Sequence, residues 1–175
     1  MIEEHMLVVE SVEFAYDRHK GQTRKYSNEP YILHPIRVAF IVSSTTNDQA
    51  TIAAANLHDV VEDTDTELEE IYDVFGKRVG LYVEGVTNKS KLTDGNRATR
   101  KEMDRQQIKQ SLPPSKTIKL ADILDNAPSI IKNDPGFAKV WMNEKNLMLP
   151  FLREGHTMLY LRVMQLMQEY FKVGR

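Results

Sequence analysis

The chain has 175 residues, 41% of them hydrophobic and 27% charged, which is the balance of a folded globular protein. Its formal net charge of -2 argues against nucleic-acid binding, and its lack of cysteine excludes disulfides, thiolate metal sites and a cysteine nucleophile. Neither a signal peptide nor a run of roughly 20 apolar residues is found, so we expect a cytoplasmic protein that does not span a membrane.

Three helices are predicted in the first third of the chain. Apolar residues at helical spacing favour a helix over about 7–19, which Gly21 should end. The basic and turn-rich stretch 22–33 is expected to be a loop, and His34 should lie in the first turn of a second helix. Small and apolar residues over 48–57 predict a third helix that is largely buried.

A fourth helix is predicted from a capping box. Thr64 and Glu67 have the spacing at which a hydroxyl and a carboxylate satisfy the free N–H groups of a helix start. The helix should end at Gly76, and apolar residues over 79–86 predict another helical segment. The polar stretch 88–99 is expected to be a connection.

The last part of the chain is also predicted to be helical. A charged helix should stop at Pro113-Pro114, and Ser115 is expected to cap the next helix, which reaches about residue 131. Two more helices are predicted, over 137–152 and 158–171. Because strand patterns are nearly absent, we expect an all-α, compact multi-helix fold with residues 1–175 in a single domain.

Several titratable residues stand in apolar surroundings. The pair His58-Asp59 follows the buried third helix and offers a nitrogen and an oxygen ligand, a set that manganese accepts. Taken alone, the pair is explained as well by capping or by a buried histidine with a hydrogen-bond partner. Glu62 and Asp63 add two carboxylates within about one helical turn, which would be costly without a compensating cation.

Two further candidates lie elsewhere in the chain. Asp122 stands in an apolar helix, so it is expected to cap, to pair or to ligate a metal. His34 begins another apolar helix, where its ring is able to point inward.

Six short motifs follow one another along the chain. They are Gly21-Gln22-x-Arg24-Lys25, Glu29-Pro30-Tyr31-Ile32-x-His34-Pro35, Leu57-His58-Asp59-Val60-Val61-Glu62-Asp63-Thr64, Phe75-Gly76, Val86-Thr87 and Lys119-Leu120-Ala121-Asp122. In content and order they resemble the HD-type hydrolase domain of RelA/SpoT-type alarmone enzymes. The chain lacks the synthetase and regulatory regions of the long bifunctional members, so it more closely resembles the stand-alone small alarmone hydrolases of the metazoan SpoT homologue type.

The resemblance implies functions for nine residues. Four match the family's ligands to one manganese ion per chain: His34, His58, Asp59 and Asp122. Two match the pair that positions and activates the attacking water: Glu62 and Asp63. Three match residues that contact the nucleotide, two in a basic loop and one against the sugar: Arg24, Lys25 and Asn126.

Some positions depart from the family pattern or stay open. The family usually has glycine where this chain has Asn28, and asparagine tolerates the left-handed conformation, so the turn should survive. Asp125 stands in a triplet where many long enzymes carry a basic residue, which leaves substrate preference open. Lys89 and Lys91 suit either a phosphate contact or a solvated loop, and Lys145 lies where relatives place substrate contacts.

The function that the resemblance implies is removal of the 3′-pyrophosphate from guanosine tetra- or pentaphosphate, giving GDP or GTP and pyrophosphate. The same site acting on an adenine alarmone or on the 2′-phosphate of NADPH is an alternative. A nucleotide sensor without catalysis is a second alternative, although it has no need of a water-activating pair. Association of two copies through an apolar C-terminal helix is also possible.

Overall fold

The structure is a computed structural model that describes residues 6–173, and within this range it contains nine α-helices and a short 3-10 helix. The α-helices are α1 (Leu7–Arg18), α2 (Leu33–Ser43), α3 (Gln49–Leu57), α4 (Val60–Asp63), α5 (Leu68–Val86), α6 (Arg97–Gln110), α7 (Pro113–Asn133), α8 (Pro135–Met148) and α9 (Thr157–Val173). The 3-10 helix (Leu149–Leu152) joins α8 to α9. The described residues form no strand beyond an isolated bridge between Thr23 and Pro30, which confirms the all-α prediction.

Helix α3 lies at the centre of the fold. Asp48 caps its first turn, because the carboxylate accepts a hydrogen bond of 3.2 Å from the backbone N–H of Thr51. Alanines along α3 let α1, α2 and α5 pack closely against it, and residues 50–57 are all buried. The core therefore fixes the position of His58, which follows directly after α3.

Helix α7 is the second buried helix, and it packs against α2, α5, α8 and α9. Its apolar side chains Ile118, Leu120 and Ile123 are completely buried in the same hydrophobic cluster as the side chains of α3. Residues that are far apart in the sequence therefore meet where α2, α3 and α7 come together. Of the helices in the described range, none has the length and hydrophobicity needed to cross a bilayer.

Residues in the left-handed conformation mark three turns. Gly21 follows the end of α1 with a φ of 82°, and Gly76 interrupts α5 with a φ of 81°, where the sequence predicted a helix end. Asn28 has a φ of 56°, so the prediction that asparagine would keep this turn left-handed is confirmed.

Two predicted helix caps are wrong. Helix α5 begins after Glu67 without a side-chain cap, and the Thr64 hydroxyl instead donates to the carbonyl oxygen of Val60 at 2.6 Å. Thr64 thus satisfies a carbonyl oxygen of α4 and not the free N–H groups at the start of α5. Pro113 does not only stop a helix but begins α7, so Ser115 lies inside the helix and donates to a backbone carbonyl of α5.

Candidate active site

Four predicted site residues converge where α2, α3, α4 and α7 meet. Nε2 of His34 lies 3.4 Å from Oδ2 of Asp59 and 3.4 Å from Oδ1 of Asp122. Nε2 of His58 lies 3.2 Å from Oδ1 of Asp59 and 3.9 Å from Oδ1 of Asp122. Ligand atoms of His34, His58 and Asp59 all lie within 4.8 Å of one another. Two nitrogens and two carboxylates therefore face one point.

The imidazole rings are oriented by their other nitrogens. Nδ1 of His34 donates to Oδ2 of Asp125 at 2.7 Å, and Nδ1 of His58 donates to the carbonyl oxygen of Ala55 at 2.9 Å. Both Nε2 atoms therefore point to the centre, and the buried Nε2 of His58 has no hydrogen-bond partner within the described range. This mixed nitrogen and oxygen set fits a divalent metal ion.

The electrostatics of the cluster also favour a cation. Burial alone would raise the pKa of Asp122, but the ammonium of Lys119 and the two imidazoles hold that pKa well below its usual range. Burial lowers the pKa of His34, yet hydrogen bonds to Asp122, Asp125 and Asp59 outweigh it and raise the pKa to about 10. The carboxylates thus stabilise a positive charge between them. A bound divalent ion would supply this charge and would replace the proton on His34.

Asp125 is a site residue that the sequence analysis missed. One of its oxygens accepts from His34, and the other accepts from Nε of Arg37 at 2.8 Å. Arg37 also donates to Glu29 at 2.8 Å, so a chain of charged groups holds the His34 ring. A signal was present, because Asp125 lies three residues after Asp122 and therefore on the same side of α7.

Asp63 lies beside the cluster and contacts the loop before α2. The hydroxyl of Tyr31 lies 2.7 Å from Oδ2 of Asp63 and 2.7 Å from Oδ2 of Asp59. Desolvation raises the pKa of Asp63, the negative charge of Asp59 raises it further, and the Tyr31 hydroxyl lowers it. Tyr31 belongs to one of the sequence motifs, but the motif did not predict its contact with both carboxylates.

Glu62 lies on the other side of the cluster and is held by Asn88. Oε1 accepts from the backbone N–H of Asn88 and Oε2 accepts from its side-chain amide, both at 2.7 Å. Desolvation raises the pKa of Glu62, whereas the nearby ammonium of Lys119 lowers it. Glu62 and Asp63 therefore border the same cluster with different partners.

The three predicted nucleotide-binding residues point in two directions. Arg24 donates to Oδ1 of Asn126 at 2.5 Å, and the Asn126 amide donates to Oδ1 of Asp122, so both residues border the cluster of histidines and carboxylates. Lys25 is exposed and turns away, with Nζ 3.5 Å from Oδ2 of Asp134 and 3.2 Å from the hydroxyl of Tyr26. The structure thus brings Arg24 and Asn126 to the site and leaves Lys25 at its edge.

The lysines that the sequence left open have distinct surroundings. Lys89 is exposed and donates to Glu84 at 3.0 Å, and Lys91 is exposed as well. Burial lowers the pKa of Lys145 to about 8, and the positive charge of Lys119 adds to this effect. Lys145 is therefore close enough to Lys119 and Asp122 for their charges to act on its pKa.

Comparisons with known proteins identify relatives of the chain. The model of the HD domain family matches residues 11–135. A probable guanosine-3′,5′-bis(diphosphate) 3′-pyrophosphohydrolase of Synechocystis is 51% identical over 87 residues, which are 50% of this chain and 11% of that protein. The guanosine-3′,5′-bis(diphosphate) 3′-pyrophosphohydrolase MESH1 of Danio rerio is 40% identical over 135 residues, which are 74% of this chain and 72% of that protein.

The fold is also similar to a solved structure. A metazoan ortholog of SpoT, described as hydrolysing ppGpp, has a TM-score of 0.83 and 29% sequence identity. The match covers 94% of this chain and 95% of the solved one. The chain thus spans most of the small relatives, although it spans only 11% and 17% of the long relatives from Synechocystis and Aquifex aeolicus.

Proposed function

Since the chain belongs to the HD domain family, we propose that it is a metal-dependent hydrolase that removes the 3′-pyrophosphate from guanosine tetra- or pentaphosphate. The predicted resemblance to the RelA/SpoT-type hydrolases is confirmed by the relatives described above. Manganese is the metal that we propose, with one ion held by His34, His58, Asp59 and Asp122.

One observation carries the proposal. Two buried imidazoles, each fixed by a hydrogen bond at Nδ1, direct Nε2 at the carboxylates of Asp59 and Asp122, and the carboxylates of Glu62 and Asp63 border the same cluster. The buried Nε2 of His58 has no hydrogen-bond partner among the described residues, and beside two carboxylates it suits a metal ligand. Such a site suits the hydrolysis of a phosphate bond by an activated water.

The chemistry follows from the positions of the side chains. A bound divalent ion would lower the pKa of a water molecule and polarise the phosphate. Glu62 or Asp63 accepts the proton as water adds to the phosphorus attached to the ribose 3′ oxygen. The bond between that phosphorus and the 3′ oxygen then breaks, and the oxygen takes up a proton as pyrophosphate leaves. The raised pKa of each carboxyl group makes it a better base.

The nucleotide needs cations and polar groups beside the metal. Arg24 offers a bidentate fork to a phosphate, Asn126 offers an amide to the sugar, and Lys25 adds a point charge at the edge of the site. A cavity of about 340 Å³ lies next to Arg24. Its walls include the cationic Arg37 and Arg162, and Arg37 is paired there with the carboxylates of Glu29 and Asp125. Arg24 is the cation that supports a polyanionic nucleotide as the substrate, because it also borders the site.

A direct assay tests the proposal. The purified protein is incubated with guanosine tetraphosphate, with and without manganese, and the products are separated by chromatography. We expect GDP and pyrophosphate in the presence of manganese, and neither product from the Asp63→Asn and His58→Ala variants. Release of single phosphates, or turnover that does not depend on metal, would contradict the proposal.

The two alternatives give different results in the same assay. If an adenine alarmone or NADPH is hydrolysed faster than guanosine tetraphosphate, the substrate assignment changes but the proposed active site does not. Tight binding of the nucleotide by metal-loaded protein without turnover would indicate a sensor. The presence of both Glu62 and Asp63 beside the metal cluster favours the enzyme.

Three other predictions accompany this function. We propose that residues 1–175 form a single domain, that the protein acts in the cytoplasm, and that two copies are able to associate. Size-exclusion chromatography with light scattering measures the association directly.

A further inference from the structure

We infer that Asn88 is a positioning residue, which acts through Glu62 by fixing its carboxylate at the edge of the metal cluster. The inference rests on the proposed hydrolytic function, because it concerns the water-activating step. Asn88 lies 26 residues from Glu62 in the sequence, directly after the end of α5. It directly follows the motif Val86-Thr87, but none of the sequence motifs contains it.

The contact is bidentate. The backbone N–H of Asn88 donates to one oxygen of Glu62 and the side-chain amide donates to the other, each at 2.7 Å. Glu62 stands on α4, a single helical turn, and is itself exposed, so its long side chain would otherwise sample several rotamers. Two parallel hydrogen bonds select one orientation of the carboxylate plane.

The turn that carries Asn88 is itself fixed from α6. The side-chain amide of Gln107 donates to the carbonyl oxygens of Glu84 and Thr87, both at 2.8 Å. These carbonyls belong to the last turn of α5, where intrahelical partners are missing. Gln107 therefore keeps the N–H of Asn88 directed at Glu62 and not at solvent.

Charges around Glu62 explain why it needs this support. Asp59 repels the Glu62 carboxylate, and the ammonium of Lys119 attracts it toward α7. Nζ of Lys119 lies 3.3 Å from Oδ2 of Asp122, so this ammonium is already paired. The hydrogen bonds from Asn88 are the ones that hold the Glu62 carboxylate in place.

A double-mutant cycle tests the inference. We compare wild type, Asn88→Ala, Glu62→Ala and the double variant with guanosine tetraphosphate and manganese. Asn88→Ala removes the side-chain hydrogen bond to Glu62 and keeps the backbone one. Loss of one hydrogen bond to a charged group should lower kcat about tenfold, while KM changes by less than about twofold. In the Glu62→Ala background, Asn88→Ala should have no further effect. Asn47→Ala, which alters an exposed asparagine before α3, serves as the matched control and should keep wild-type kinetics.

A readout without turnover accompanies the kinetics. The backbone amide proton of Asn88 should resonate downfield in the NMR spectrum of the wild type and move upfield in Glu62→Ala. An unchanged kcat in Asn88→Ala, or an equal loss of kcat in both backgrounds, would overturn the inference. If the wild type hydrolyses none of the nucleotides tested, the proposed function is wrong, and the role of Asn88 in that reaction is wrong as well. Thermal unfolding of each variant separates these outcomes from misfolding.

Discussion

The hydroxyl of Tyr31 lies 2.7 Å from the carboxylate of Asp63, although 32 residues separate the two in the sequence. A phenol has one hydrogen to donate, and Asp59 lies equally close on the other side. Tyr31 is held by the ring of His19, at a centroid distance of 4.8 Å, and His19 is hydrogen-bonded to Gln22. Gln22 in turn donates to the backbone carbonyl of Asp63. The loop before α2 therefore holds both the side chain and the backbone of Asp63.

Removal of the Tyr31 hydroxyl should therefore change the pH dependence of catalysis. The hydroxyl lowers the pKa of Asp63, so Tyr31→Phe should raise that pKa. A base works only when deprotonated, so activity should be lost at a higher pH as the solution is acidified. The plateau of kcat should also fall about tenfold. Tyr72→Phe removes a similar hydrogen bond, to Glu84, and should leave the profile unchanged.

Asp125 should control metal affinity without being a ligand. Asp125→Asn weakens the hydrogen bond that orients His34, and loss of such partners typically lowers metal affinity by about 10- to 100-fold. Calorimetric titration of metal-free protein with manganese measures the effect. Asp73→Asn, on an exposed face of α5, makes the same chemical change away from the site and should bind as wild type does. Equal affinity in the two variants would contradict a role for Asp125.

Lys145 should make substrate binding sensitive to alkaline pH. Its pKa is lowered to about 8, so the ammonium is charged below that pH and neutral above it. The charged groups that act on it are Lys119, Asp122, Lys101 and Glu144. If Lys145 contacts the polyanionic substrate, KM should rise roughly tenfold as the pH passes through 8.

Steady-state kinetics between neutral and alkaline pH check this dependence. Lys145→Met should show a high KM at every pH, whereas Lys139→Met, an exposed lysine on the same helix, should keep the wild-type dependence. A KM that rises equally in wild type and Lys145→Met would assign the effect to another group.

Gly76 should be important for stability rather than for activity. Its φ of 81° is strained for any residue with a Cβ, but a Cβ placed there meets no atom within 4 Å. Gly76→Ala should therefore lower the free energy of unfolding by about 1–2 kcal/mol, measured by denaturant unfolding. Gly80→Ala has the opposite problem, because its Cβ would lie 2.5 Å from the Tyr72 ring. A stability unchanged in Gly76→Ala would show that the interrupted helix rearranges.

The sequence predicted the helices well wherever apolar periodicity and a strong terminator agreed. The helix that ends before Gly21 and the break at Gly76 are examples. Prediction of caps was weaker, because Thr64 and Ser115 each had two possible acceptors or donors and tertiary packing selected between them. A local sequence pattern does not show which hydrogen-bond partner tertiary packing will select.

The sequence likewise predicted some of the residues around the cluster and did not predict others. His58 and Asp59 were identified because they are adjacent and follow a buried helix. Tyr31, Asp125 and Asn88 were not, because their functions depend on where a side chain points after distant segments have packed. Only Asp125 had a local signal, its spacing from Asp122 along α7.

The convergence of residues 34, 58, 59 and 122 has a consequence for the whole molecule. An ion bound there would act as a cross-link among the start of α2, the end of α3 and the middle of α7, closing two long loops of chain at once. By thermodynamic linkage, the free energy of unfolding rises with ion concentration above the dissociation constant. The increase is about 2.7 kcal/mol at a hundredfold excess of the ion over that constant. Metal supply would then govern not only how fast such a protein works but also how long each molecule survives in the presence of proteases.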